Sequence, residues 1–179
     1  MPAKRRSPRL PGSRTEPALL DEVNLRLLGE LQADPRCPVS ELARRVSMSP
    51  PAVRERVQRL EQAGVIAGYR TEVNPASLGF PLTAFTRIRP MPGALPKIAQ
   101  LAADIPEVTE CYRITGEDCF LVKVHAPALD QLEAILDRFL TFGATTTSIV
   151  VSTPVPARHL PLPARPELPE TPAWPGPVR

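Results

Sequence analysis

Charged side chains are concentrated in one short segment, where five arginines and one glutamate lie between Arg44 and Arg59. A guanidinium group can pair bidentately with guanine, and a glutamate can accept a hydrogen bond from cytosine N4. Arginine also binds phosphate oxygens through charge-assisted hydrogen bonds. These residue types predict contacts with both the base edges and the backbone of duplex DNA.

A helix over residues 50–62 is predicted to position these groups. At about 100° per residue, Val53, Val57 and Leu60 fall within about 60° of one another and form an apolar face. Arg56 lies at the border of that face, where it either anchors a phosphate or forms a structural ion pair. The predicted DNA-binding residues are Ser49, Pro51, Ala52, Arg54, Glu55, Arg56, Gln58 and Arg59.

Local signals define both ends of this helix. Ser49 is a suitable N-cap, and prolines at the two following positions need no N–H partner there. Gly64 is a suitable helix stop, and residues 65–66 and 69–73 predict a small β-wing. A charged helix face is often only solvated. A preceding short helix over residues 39–46, the capped entry and the wing favour a winged helix-turn-helix domain instead.

Proline separates the central region from two tails. Of 24 prolines, 13 lie in residues 1–17 and 154–179, which lack hydrophobic periodicity and are predicted to be disordered. The basic head carries a net charge of +4 and the whole chain only +3. Local clustering must therefore provide specific DNA binding. The head is either a phosphate tether or a solubilising extension.

Several classes of protein are disfavoured by the sequence. No apolar run is long enough to span a membrane and the N-terminus lacks a signal peptide, so we predict a cytoplasmic protein. The three cysteines, Cys37, Cys111 and Cys119, form no CxxC pair. We therefore predict neither a metal site nor a cofactor.

The second half of the chain alternates in the order βαββαβ, which predicts a ferredoxin-like sheet with both helices on one face. The other face would then require a partner, so we predict a homo-oligomer. The fold class is α+β. The predicted segments are a basic disordered tail (1–18), the winged domain (19–70), a linker strand (71–81), the ferredoxin-like domain (82–153) and a Pro-rich disordered tail (154–179).

Four features together resemble the Lrp/AsnC (feast/famine) family of transcriptional regulators: Leu20-Asp21, the segment SELARRVSMSPPAVRERVQRLEQAGVIAGYR, the linker NPASLGF and the turn TGEDCFLVKV. The resemblance implies a homodimer that often assembles into larger rings. It also implies a small effector, commonly an amino acid, bound between subunits near the loop of Thr115, Gly116, Glu117 and Asp118. A plain hairpin turn would explain the same four residues.

Three positions depart from the family pattern. Pro38 stands where a serine often caps the first helix of the motif, and Ser47 replaces a glycine in its tight turn, where we expect a strained φ. Cys119 replaces an aspartate often found after the effector loop, which changes the usual scheme of contacts with an amino acid.

Two other functions fit part of the pattern. Tetrapyrrole decarboxylases of the haem pathway have a similar two-domain plan, but the core offers only His125 as an ionisable group for catalysis. An architectural DNA-binding protein without an effector would keep the arginine-rich helix and leave the loop without a ligand. We predict a DNA-binding regulator that is not an enzyme.

Overall fold

The computed structural model describes residues 17–163. Residues 1–16 and 164–179, which are parts of the two predicted tails, lie outside the described residues. The chain divides into two compact units, with the divisions after Arg70 and after Pro156. None of the described helices is long and apolar enough to cross a membrane.

The first unit contains three helices that follow a 3-10 turn at Pro17–Leu20: α1 (Glu22–Ala33), α2 (Val39–Arg45) and α3 (Pro50–Gln62). The side chain of Asp21 caps α1 by accepting a hydrogen bond from the Asn24 N–H at 2.7 Å. Two apolar clusters hold the helices together. One contains Leu27, Cys37, Leu42, Ala43, Val46 and Val53, and the other contains Leu20, Leu28 and Leu60.

The tight turn between α2 and α3 places Ser47 at φ 56°, which confirms the strained backbone expected at this position. Pro38 occupies the N-cap position of α2 without a side-chain hydrogen bond. Its carbonyl accepts the N–H groups of Glu41 and Leu42 at 2.9 and 3.0 Å. The helix therefore begins with backbone hydrogen bonds and no capping side chain.

The β-wing predicted after α3 needs correction, because the described chain has no strand between residues 63 and 81. Gly64, at φ 72°, ends the helix. The N–H groups of Val65 and Ile66 then donate to the Leu60 carbonyl at 2.9 and 3.2 Å. Both side chains pack against the cluster that contains Leu60. The apolar residues predicted to form a strand instead fold back onto the end of α3.

The predicted linker strand over residues 71–81 also needs correction, because a 3-10 turn forms at Pro75–Leu78. The side chain of Asn74 accepts a hydrogen bond from the Ala76 N–H at 3.0 Å, and Gly79 ends the turn at φ 87°. Asparagine followed by proline therefore initiates a turn here, and this local capping interrupts the extended backbone.

The prediction of a disordered tail is wrong for its first part. Leu162 packs against the cluster of Leu20, Leu28 and Leu60. The side-chain amide of Gln32 donates to the Leu160 carbonyl at 3.4 Å. These two contacts join a proline-rich segment to the helical unit, although the segment has no hydrophobic periodicity. We call residues 157–163 the C-terminal strap.

The second unit has the predicted order of elements: β1 (Leu82–Pro90), α4 (Leu95–Asp104), β2 (Val108–Arg113), β3 (Phe120–Ala126), α5 (Leu129–Leu140) and β4 (Gly143–Ile149). All strand pairs are antiparallel and the spatial order is β2-β3-β1-β4. This topology confirms the ferredoxin-like prediction.

Alternation along the strands gives the sheet two different faces. Ala84, Thr86 and Ile88 of β1 are buried, and Phe85 and Arg87 between them are exposed on the opposite face. The buried face forms one core with residues of both helices. A run of β-branched residues predicts the last strand at residues 145–153. In the structure, β4 begins two residues earlier, at Gly143, and ends at Ile149.

Candidate nucleic-acid interface and effector loop

The structure places most of the predicted DNA-binding residues on the accessible side of α3. Six of the eight are exposed: Ser49, Pro51, Arg54, Glu55, Gln58 and Arg59. Ala52 and Arg56 are half-buried. Val53 and Leu60 on the opposite side are fully buried, and they fix which face of α3 points outward.

The start of α3 has the predicted cap. The Ser49 hydroxyl accepts a hydrogen bond from the Ala52 N–H at 3.4 Å, and Pro50 and Pro51 occupy the first two helical positions. The remaining N–H groups of the first turn give this end a partial positive charge. An exposed helix start of this kind suits the approach of a phosphate or a base edge.

Arg54 and Arg59 differ in their immediate surroundings. Arg59 forms an ion pair with Glu55 one turn earlier, at 2.7 Å, and both side chains are more than half exposed. Exposed pairs of this type contribute little to stability, so Arg59 can exchange Glu55 for a base or a phosphate at low cost. Among the residues that the structure describes, Arg54 makes no ion pair or hydrogen bond through its side chain.

Arg56 joins α3 to the start of α1. Its guanidinium donates to the Asp21 carboxylate at 2.6 Å and to the side-chain oxygen of buried Asn24 at 3.0 Å. Burial by itself raises the pKa of Asp21, but hydrogen bonds from Arg56 and from the Asn24 N–H outweigh it and lower that pKa. This geometry supports the structural ion pair, one of the two roles expected for Arg56.

A second ion-pair network joins α1 and α2. Glu41 accepts hydrogen bonds from Arg44 and Arg45 at 2.6 to 2.9 Å, and Arg45 also donates to Glu30 of α1 at 2.6 Å. The bonds from the two arginines lower the pKa of Glu41 to about 2. This network and the Arg56 pair link α1 to the other two helices, and the buried clusters that contain Val53 and Leu60 hold α3 in place.

The four residues of the predicted effector loop lie together between β2 and β3. The Ile114 N–H donates to the Cys119 carbonyl at 3.0 Å and closes the loop. Gly116 has φ 108°, and a Cβ atom there would meet no atom within 4 Å. Thr115 and Glu117 are exposed and Asp118 is half-buried. The loop therefore presents the Thr115 hydroxyl and the bare Gly116 backbone, with two carboxylates next to them.

Two arginines of β1 lie beside this loop. Arg89 approaches Glu117 at 2.6 Å and Asp118 at 3.4 Å, and Arg87 approaches Asp118 at 3.8 Å. The sequence reasoning missed both residues. Arg87 and Arg89 alternate along β1, and a ferredoxin-like sheet pairs this strand with β3. These two features, with the register of the pairing, indicate that both arginines lie near the loop.

Both units match known family models. Residues 20–61 match the AsnC-type helix-turn-helix domain, and residues 83–160 match the Lrp/AsnC ligand binding domain. The chain belongs to the Lrp/AsnC family. Like other Lrp/AsnC proteins it is a DNA-binding transcriptional regulator, and membership of this family rules out the enzyme alternative.

Individual Lrp/AsnC proteins match over nearly their whole length. The transcriptional regulator LrpA of Mycobacterium tuberculosis is 37% identical over 75% of this chain and 91% of its own. LrpC of Bacillus subtilis is 31% identical, and the match covers 74% of this chain and 92% of LrpC. A solved structure of a feast or famine regulatory protein from M. tuberculosis, complexed with L-methionine, is 36% identical with a TM-score of 0.73, over 80% of this chain and 99% of its own.

Proposed function

We propose that this regulator binds operator DNA through the outer face of α3 and responds to an amino acid bound at Thr115–Asp118. The assignment of DNA binding to α3 rests on a difference between its arginines. Arg56 is held within the unit by Asp21 and Asn24, and Arg54 and Arg59 face outward from the capped helix.

The effector assignment is supported by three observations. The matched ligand-binding domain contains the whole loop. A similar solved structure is complexed with L-methionine. The loop offers N–H and hydroxyl donors for a carboxylate, and Glu117 and Asp118 as partners for an ammonium group. The architectural alternative leaves these groups without a function.

The proposal extends to the whole protein. We place the DNA-binding domain at residues 19–70, the effector-binding and oligomerisation domain at 82–153, and the assembly as a homodimer or a larger homo-oligomer. The exposed sheet face with Phe85 and Tyr112 supports self-association. A regulator of this kind acts where the genome is, in the cytoplasm.

The DNA assignment is tested with Arg54→Ala, Arg59→Ala and the double variant. Each arginine that reads a base bidentately should contribute about 1–3 kcal/mol of specific binding free energy. Binding is titrated by gel shift on a fragment recovered by genome-wide mapping of bound sites. Arg36→Ala, which removes an exposed arginine outside α3, is the matched control. Undiminished specific binding by the double variant would refute the assignment to α3.

The effector assignment is tested by a thermal-shift screen of the twenty standard L-amino acids, beginning with L-methionine. A ligand present at about 100 times its Kd should add about 2.7 kcal/mol to the free energy of unfolding. An amino acid that raises the melting temperature supports an effector-responsive regulator. If no amino acid shifts it, the effector proposal fails and the architectural alternative takes its place.

A further inference from the structure

Two arginines and two carboxylates form a compact group of four charges at the effector loop, which we call the charge quartet: Arg87, Arg89, Glu117 and Asp118. The three N–O separations within it are 2.6, 3.4 and 3.8 Å. Arg87, Arg89 and Glu117 are more than half exposed, and Asp118 is about a quarter exposed. The quartet is therefore open to a solute, and its formal charges sum to zero.

The sheet register brings the quartet together. Ile88 of β1 lies opposite Phe120, the first residue of β3. Arg87 and Arg89 flank Ile88 and share the sheet face opposite to it. The effector loop leads into β3 at this point. Both guanidinium groups therefore lie beside the carboxylates of Glu117 and Asp118. The ferredoxin-like pairing of β1 with β3 fixes this arrangement.

The charge balance restricts which solutes the quartet can accept. A ligand carboxylate can replace Glu117 on Arg89, since Arg89 has the donor geometry to hold it in a fork. A ligand ammonium can then pair with Asp118, the less exposed carboxylate. A zwitterion keeps the sum of charges at zero. An acid without an ammonium group adds an unpaired negative charge, and an amine without a carboxylate adds an unpaired positive charge.

The exchange is also energetically accessible. The Arg89–Glu117 pair is exposed on both sides, and such pairs contribute little to stability. The open space in front of Gly116 leaves room for the ligand's backbone atoms beside the quartet. Binding therefore replaces one weak internal pair with two charge-assisted contacts to the ligand.

We infer that Arg89, assisted by Arg87, binds the carboxylate of the effector, and that the charge quartet disfavours ligands that lack either the carboxylate or the ammonium group. This inference rests on the proposed effector function. It adds two specificity-determining residues outside the loop and a rule for which ligands are rejected.

The test measures binding by isothermal titration calorimetry to the full chain. The ligands are the amino acid that gives the largest thermal shift, its 2-oxo acid and its amino alcohol. Wild type should bind the amino acid about tenfold or more tightly than either analogue, since each analogue loses one charge-assisted contact. Arg89→Ala should weaken binding of the amino acid about tenfold or more and leave binding of the amino alcohol nearly unchanged.

Two further variants sharpen the outcome. Arg89→Lys keeps the charge but not the fork, so it should retain part of the affinity and of the discrimination. Arg138→Ala removes an exposed arginine at the end of α5 and should bind as wild type does. Equal affinity of wild type, Arg89→Ala and Arg89→Lys for the amino acid would overturn this inference and leave the effector function standing. A wild type that binds none of the twenty amino acids would refute the effector function itself.

Discussion

Three arginines of α3 have different roles although the residue type is the same. Arg56 is held by Asp21 and Asn24, which are 35 and 32 residues away in sequence. The partner of Arg59 lies one helical turn away. The pair within the helix could be predicted from spacing alone. The long-range pair could not, because a helix pattern gives no information about which residue of another helix faces it.

The carboxylates of the helical unit predict that it loses stability in acid. The pKa of Glu41 is lowered from 4.5 to about 2 by hydrogen bonds from Arg44 and Arg45, and the pKa of Asp21 is also lowered. A group whose pKa is lower in the folded state stabilises that state fully above its unfolded pKa. The contribution is lost as the pH falls through the folded pKa. We expect the loss between about pH 4.5 and about pH 2.

Denaturant unfolding followed by circular dichroism, at several pH values across this window, measures the effect. Glu41→Gln should be less stable than wild type at neutral pH and should lose less stability as the pH is lowered. Glu55→Gln, which removes an exposed carboxylate outside this network, is the control. If wild type and Glu41→Gln lose stability in parallel, the network around Glu41 does not contribute to the pH dependence.

At the scale of elements, local signals predicted some boundaries and failed at others. The limits of α3 match the prediction at Pro50 and Gln62 because Ser49 and Gly64 determine them locally. The strands of the wing failed because packing of Val65 and Ile66 on Leu60 outweighs their β propensity.

The start of β4 depends on a feature that no sequence pattern contains. A Cβ atom on Gly143 would collide with the Arg89 carbonyl, so only glycine lets the strand begin beside Pro90. The close approach of the two backbones is set by the tertiary fold. The sequence therefore placed the start of this strand two residues too late.

The C-terminal strap should stabilise the helical unit through one side chain. Replacing a completely buried leucine with alanine lowers the free energy of unfolding by about 2–5 kcal/mol. Leu162 is half-buried against Leu20, Leu28 and Leu60, so Leu162→Ala should cost about 1 kcal/mol. Leu160, whose side chain is 83% exposed, provides the matched control. Chemical denaturation should show a loss for Leu162→Ala and none for Leu160→Ala, and equal stability of the two variants would contradict this packing.

At the scale of the whole molecule, the chain passes between its two units twice, after Arg70 and after Pro156. The sequence predicted both units, the helix α3 and the turn between β2 and β3. It did not place Arg87 and Arg89 beside that turn, because this requires the register of the β1–β3 pairing in addition to the order of the strands. The strap was missed because the contact of Leu162 with Leu20, Leu28 and Leu60 joins residues far apart in sequence.

The coupling between effector and DNA belongs to the assembled protein. An effector changes DNA affinity only if it binds one arrangement of the protein more tightly than another. In the proposed homodimer, a site at a subunit boundary would favour one arrangement of subunits. Dimeric readers depend on half-sites about 34–36 Å apart, so a change in that arrangement would change the fit of the paired α3 helices.

We therefore expect Asp118→Ala to abolish the effect of the amino acid on DNA affinity and to leave effector-free binding near wild type. Asp118 pairs with Arg87 and Arg89 of the second unit. It does not belong to α3, so its replacement should leave the DNA-binding residues intact. Gly116→Val should act in the same way by blocking approach to the backbone. It should also destabilise the loop, because valine is disfavoured at φ 108°. Gel-shift titrations with and without the amino acid identified by thermal shift measure both effects. A full ligand response in Asp118→Ala would mean that this loop is only a turn and that the effector binds elsewhere.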